Sequence, residues 1–315
     1  MDLNYQIRAF YDPVLLQENN VLNNMLDEDA EFQIITPYLD PKNIHTRTQI
    51  QLNPKFRQII TAWLYDVTES LNRERGVYSL SVTLLDMFLS QRNESIDKKN
   101  YQCYASACFL LASKLRESCP LAARKIIEFT EFYVELNAML QAETEILMTL
   151  EWKLSVIIPE DFVDIFVNLV LTEQGVYFGV VEAMDGVSNK GKKLCVISPT
   201  TKVILQEIKK MLTFFAQEYE IWCKFKFSII AGVSVLITIK YYVNYFGREN
   251  IPEGFSYEKA EECLRKVFEF QIELFERALK EMEKCIIDEL KPEVPPMIPS
   301  IPSIPSLKGS SNASQ

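Results

Sequence analysis

A single histidine, His45, serves a chain of 315 residues. That scarcity excludes multi-histidine metal sites, and it ties any Ser-His-Asp or Cys-His mechanism to one residue in a polar stretch. A solvated loop side chain is the plainer reading of His45. The seven cysteines (Cys103, Cys108, Cys119, Cys195, Cys223, Cys263 and Cys285) are odd in number and contain no C-x-x-C pair. Four of them lie among apolar residues at helical spacing. Reduced, buried thiols are therefore expected rather than a disulfide framework. An excess of positive charge is also missing: 33 Lys and Arg face 43 Asp and Glu, for a net charge of −10 and a pI near 4.9. Neither nucleic acid nor an anionic membrane surface attracts such a chain. The apolar run that matters most, Phe227 to Ile239 between Lys226 and Lys240, falls short of the roughly twenty residues a bilayer requires. It reads as a buried helix. The opening MDLNYQIRAFYDP has no basic stretch followed by an apolar one, so no secretory signal is expected.

Helix breakers are few and clustered. The chain has 9 glycines, of which Gly175, Gly179, Gly186 and Gly191 share one short window, and the prolines crowd the end after residue 290. Elsewhere apolar residues recur every three or four positions, with almost no sustained alternation, which predicts an all-α protein. A first helix is expected over Val14 to Leu26, broken by Asp27, Glu28, Asp29 and Glu31. A second begins near Lys55 on the stripe Phe56, Ile59, Ile60, Trp63, Leu64, Val67 and Leu71. Others follow over Ser79 to Leu89, Tyr101 to Leu115, Pro120 to Phe132 and Glu135 to Leu150. Positions 103 to 113 carry no charge and hold several small residues, which predicts a helix surrounded by its neighbours. A second helical region is expected over Glu160 to Leu171, Thr201 to Glu220, Phe225 to Phe246 and Tyr257 to Leu290. The apolar, small-residue stretch around Ala231, Gly232 and Ser234 repeats the logic of the first region. Residues 172–200 read as a loop insertion, and 291–315 as a disordered Pro/Ser-rich tail.

Catalytic patterns are weak. Gly186 to Lys193 fits G-x-x-x-x-G-K, but Lys193 stands where a P-loop needs Ser or Thr. Asp161-Phe162-Val163 is not D-F-G, and no H-R-D is present. Acidic neighbours such as Glu143 and Glu145 are ordinary on a helix and do not by themselves make an acid/base dyad.

Four stretches in register carry a more specific signal. Phe56 to Leu64, Leu84 to Ser90, Phe109 to Glu117, and Trp152 followed by Pro159-Glu160-Asp161-Phe162 resemble the cyclin box, most clearly over residues 14–167. The N-terminal Arg8-Ala9-Phe10, Leu15-Leu16 and Val21-Leu22 make the chain most similar to the D-type, or G1, cyclins. The resemblance implies an N-terminal helix and linker over 1–50, a cyclin box over 51–153, and a second five-helix cyclin fold over 154–290, left open to being degenerate. It implies no catalytic activity and no cofactor. Instead it implies a regulatory subunit, nuclear and cytoplasmic, that binds and activates a cyclin-dependent protein kinase in G1/S cell-cycle control. A transcription-type cyclin and a cyclin-fold scaffold silent toward kinases stay open as alternatives. Lys114 and Glu143 match the family's kinase-binding pair. Phe56, Ile59, Ile60, Trp63, Asp66 and Gln102 match its substrate-docking patch for Arg-x-Leu substrates or inhibitors, with Asp66 meeting the Arg. No L-x-C-x-E is present, so retinoblastoma-like partners would be reached without that motif.

Overall fold

The computed structural model describes residues 20–31, 38–39, 54–92, 98–173, 180–181, 194–195, 199–245 and 256–289. The first bundle comprises α1 (Asn20–Glu31), α2 (Pro54–Ser70), α3 (Arg75–Gln91), α4 (Lys98–Arg116), α5 (Ala123–Glu128) and α6 (Leu136–Thr149). Pro54 opens α2 at a position where its missing N–H costs nothing. The buried stripe of that helix is Arg57, Ile60, Thr61, Leu64, Val67 and Thr68. Helix α4 lies against α2, α3, α5 and α6, as its uncharged centre predicts. Ala105, Ala107 and Ala112 are fully buried and let those neighbours close in. Helix α3 is buried on every side as well, because it is held between α2, α4 and a helix of the second bundle. Two of its buried hydroxyls return to the preceding turn: Ser81 Oγ donates to the Val77 carbonyl at 2.5 Å and Thr83 Oγ1 to that of Ser79 at 2.8 Å.

The second bundle comprises α7 (Pro159–Glu173), α8 (Pro199–Gln217), α9 (Tyr219–Lys224), α10 (Phe227–Tyr245), α11 (Tyr257–Val267) and α12 (Ile272–Glu289). Helix α10 is its axis, packed by α7, α8, α11 and α12. Two short strands, Val180–Val181 and Leu194–Cys195, pair antiparallel within the stretch expected to be loop. Among the described residues, no helix is long and apolar enough to cross a membrane.

Several expected helices differ in outline: that expected over Pro120 to Phe132 is the short Ala123–Glu128, that over Thr201 to Glu220 divides after Gln217, and two others differ in more telling ways. The N-terminal helix runs from Asn20 to Glu31 rather than ending at Leu26. Its acidic end is a connection, not a break. Asp29 is buried and accepts from Phe227 N at 3.2 Å and from Ser228 N and Oγ at 3.0 and 2.5 Å, capping α10 from outside. Lys226 Nζ in turn donates to the Asp29 and Ala30 carbonyls, both at 2.9 Å. The expected helix Tyr257 to Leu290 is interrupted at Phe268 and by the 3-10 turn Glu269–Gln271. There the buried Phe268 ring stacks on Phe275 with centroids 4.9 Å apart. The residues expected before Asn20, His45, the Gly186 to Lys193 motif and the Pro/Ser tail lie outside the described residues.

Candidate functional site

Lys114 falls in the last turn of α4, and Glu143 lies near the middle of α6. The packing of α4 on α6 brings them together as an ion pair, Lys114 Nζ donating to Glu143 Oε1. Glu143 is largely buried, whereas the Lys114 side chain is 46% exposed. The ammonium is thus placed by its carboxylate partner while the side chain remains partly open to solvent. Leu140 and Leu147 lie one turn before and after Glu143 on the same side of α6. Leu115 is exposed beside Lys114. Trp152 is 67% exposed because Glu151 and Trp152 take left-handed conformations, φ 52° and 62°, where α6 ends. Trp152 N donates to the Leu147 carbonyl at 2.9 Å, which fixes the turn. The exposure of Leu115 and Trp152 was not legible in residue type.

The end of α4 is anchored from three sides. Ser113 Oγ donates to Glu117 Oε2 at 2.6 Å and accepts from Leu121 N at 2.9 Å. Arg116 forks onto Asp161 at 3.1 and 2.5 Å. Such bidentate pairs fix geometry as well as charge.

On α2 the docking candidates divide. Ile59 is 64% exposed, Asp66 is exposed, and Phe56 and Trp63 are half-buried against the core along one side of the helix. Ile60 is 6% exposed and belongs to the core, turned inward by the step of one residue from Ile59. Its place in the patch is corrected on that ground. Gln102 is half-buried in α4, which packs on α2. Trp63 Nε1 donates to the Phe129 carbonyl at 3.3 Å and so links α2 to the turn after α5.

Beneath the patch lies a buried knot that sequence reading left without a role. Arg57, 1% exposed, donates Nε to Asp86 Oδ1 at 3.0 Å and Nη2 to Oδ2 at 2.8 Å. It also donates to the Gln217 and Ala216 carbonyls at 2.7 and 2.9 Å and sits over the Tyr219 ring. Tyr38 Oη donates to Asp86 Oδ1 at 2.8 Å. Burial pushes the Arg57 guanidinium down, and the Asp86 carboxylate outweighs this and leaves it raised, so it stays charged. The signal was present: Arg57 falls on the apolar stripe of α2, and Asp86 charges a helix otherwise apolar at its centre.

Among the described residues, no group of three His, Cys, Asp or Glu could hold a metal ion. An all-α pair of bundles thus presents an ion pair flanked by the exposed Leu115 and Leu140, and a partly exposed apolar stripe on α2, features of a binding surface. Residues 21–155 match the family described as cyclin, N-terminal domain, and over this region the chain is similar to cyclins. Within that class it is most similar to D-type members. G1/S-specific cyclin-D1 of Danio rerio is 34% identical over 159 residues, 50% of this chain and 52% of the relative. G1/S-specific cyclin-D2 of Gallus gallus is 31% identical over 157 residues, 50% of this chain and 51% of the relative. The matched chain thus spans about half the length of these curated relatives. A viral cyclin from herpesvirus saimiri, solved by X-ray crystallography, matches with a TM-score of 0.62 at 17% identity, covering 85% of this chain and 97% of its own. That likeness shows the all-α cyclin fold.

Proposed function

We propose that this chain is the regulatory subunit of a cyclin-dependent protein kinase, of the D-type class that acts at G1/S, and that the second bundle is a second cyclin repeat. The observation that carries this reading is the Lys114–Glu143 pair, held between the packed helices α4 and α6 with Leu115 and Leu140 exposed beside it. A partner helix laid across α4 and α6 gains apolar contact from the rim. It also gains charge-assisted hydrogen bonds from the ammonium to its backbone carbonyls and from its N–H groups to the carboxylate. Activation requires that this surface prefer the kinase conformation in which the β3 Lys meets the C-helix Glu, because equal affinity for both conformations shifts nothing. The exposed stripe Phe56, Ile59, Trp63 and Asp66 is proposed to dock Arg-x-Leu substrates or inhibitors, the leucine against Ile59 and Trp63 and the arginine on Asp66. Retinoblastoma-like proteins are the substrate class proposed.

The test is kinase co-purification and activity with Lys114→Ala and Glu143→Ala. Removing one charge from a buried interface pair costs roughly 2–5 kcal/mol, so both variants should lose activation while melting close to the parent. Trp63→Ala should lose Arg-x-Leu peptide binding and keep kinase affinity. A silent scaffold, in which the pair is only an intramolecular tie, is the second reading. Normal kinase binding and activation by both charge variants would leave the pair as an intramolecular tie and favour the scaffold.

A further inference from the structure

The second bundle displays an aromatic side chain that its core does not use. Phe270 lies in the 3-10 turn Glu269–Gln271 between α11 and α12 and is 99% exposed. The turn itself is firmly held. Gln271 N donates to the Phe268 carbonyl at 2.8 Å, and the buried Phe268 ring packs against both Phe166 and Phe275, with centroids 5.7 and 4.9 Å away. A phenylalanine offered to water from a fixed turn leaves its transfer free energy unclaimed by the fold, and a partner that covers it gains that term.

Phe270 forms part of the wall of a groove of about 710 Å³ between α1, the end of α7 and α11. Leu22 and Leu26 of α1, Leu169 of α7, and Cys263 and Val267 of α11 supply the rest of its apolar lining. Helix α1 packs on α10 and is fixed there by Asp29 and Lys226, so it makes one side of the groove rather than filling it. Helices on two sides suit the side chains of a single inserted segment better than a flat protein face.

The charge of the groove is unbalanced. Asp27 in the lining and Glu269 beside Phe270 are exposed and form no ion pair among the described residues. Lys266, also in the lining, is held by Glu262 at 3.1 Å. Apolar walls beside two unneutralised carboxylates complement an apolar side chain with a cation near it, and a guanidinium can in addition lie over the Phe270 ring. A second copy of the chain fits less well, because a net charge of −10 brings like charge to those carboxylates.

We infer that the groove between α1 and α11 is a docking site, separate from the α2 stripe and from the Lys114–Glu143 surface, for a linear segment of a partner protein that carries an apolar anchor beside arginine or lysine. It goes beyond the regulatory reading above and does not rest on Arg-x-Leu docking at α2.

Fluorescence anisotropy on the full chain provides the test. Two peptides of about twelve residues carry a Leu-Ala-Phe anchor with a pair of arginines before or after it, spaced so that no Arg-x-Leu arises. At least one should bind roughly three- to tenfold tighter than the same peptide with glutamates in place of the arginines. Phe270→Ser replaces a fully exposed residue, so the urea midpoint should stay at the parent value while binding falls about tenfold. The double variant Asp27→Asn, Glu269→Gln should bind the arginine and glutamate peptides alike. Trp63→Ala should leave these affinities unchanged. Equal binding of arginine and glutamate peptides by the parent, or binding that survives Phe270→Ser, overturns the proposal. Loss of binding in Trp63→Ala would put the peptide on α2, and a parent dimer that Phe270→Ser abolishes would give the groove to a second copy. Either result overturns it as well.

Discussion

Glu160 opens α7, where the helix N-terminus ordinarily favours a carboxylate. Burial nevertheless pushes it up to about 7 from an ordinary 4.5; the Ser79 hydroxyl and Arg116 pull the other way, and the neighbouring Asp161 adds to the rise. Ser79 Oγ donates to Oε1, and Oε2 is buried without a hydrogen-bond partner. A folded value above the unfolded one means that the folded state holds the proton more tightly. The associated stability is complete below about pH 4.5 and is lost as the pH rises through about 7. Thermal melts from pH 5 to 8 should therefore show a loss in the parent that Glu160→Gln lacks, with the variant more stable at pH 8 by on the order of 2–3 kcal/mol. Parallel profiles for the two proteins would place the titration elsewhere.

At the next scale, α10 depends on one position without a side chain. A Cβ at Gly232 would stand 2.7 Å from Phe268 Cε2, and that ring is held by its stack on Phe275. Alanine gains about 1 kcal/mol of helix propensity but must displace a buried ring, at a cost of about 1–3 kcal/mol. Gly232→Ala should lower the urea midpoint, Gly232→Val should lower it further, and neither should gain stability. The same contact explains which part of the fold was legible beforehand. The apolar run containing Gly232 announced a buried helix, and uncharged 103 to 113 announced α4, because both signals are local and periodic. The break at Phe268 was not announced, since neither Gly nor Pro marks it and the cause is a ring seated over Gly232 from another helix. The extension of α1 to Glu31 was hidden for a related reason. Asp27, Glu28 and Asp29 read as a solvated end, and only the distant N–H groups of Phe227 and Ser228 reveal what Asp29 does. At the site, the family resemblance implied one patch holding Ile59, Trp63 and Asp66 but did not separate Ile59 from Ile60. The apposition of Lys114 and Glu143 followed from the family resemblance, whereas their closure on each other needed the packing of α4 against α6.

The two bundles are joined through charge as well as through apolar contact. Arg57 belongs to α2 and Asp86 to α3, yet two further donors of the guanidinium are spent on the carbonyls of Ala216 and Gln217 at the end of α8. Tyr219, just beyond, lies against both the guanidinium and the Tyr38 ring, and its hydroxyl accepts from Leu39 N at 2.9 Å. One buried cation therefore satisfies an acid in the first bundle and the C-terminal carbonyls of a helix in the second, where its charge also complements the negative end of the helix dipole. Arg57→Ala leaves Asp86 buried without its counter-charge and two carbonyls without donors, so a loss of about 3–5 kcal/mol is expected. The whole-molecule consequence is sharper than the loss itself. With the tie intact, the bundles should unfold together. Without it, each should melt at its own midpoint. Tryptophan fluorescence can resolve this, because Trp63 and Trp152 report on the first bundle and Trp222 on the second. In urea, Trp222→Phe and the pair Trp63→Phe, Trp152→Phe should give coincident transitions in the parent background and separated ones with Arg57→Ala. Coincident transitions in both backgrounds would mean that the other contacts between the bundles, among them α3 on α8, Asp29 on the start of α10 and Arg116 on Asp161, suffice to couple the halves without Arg57.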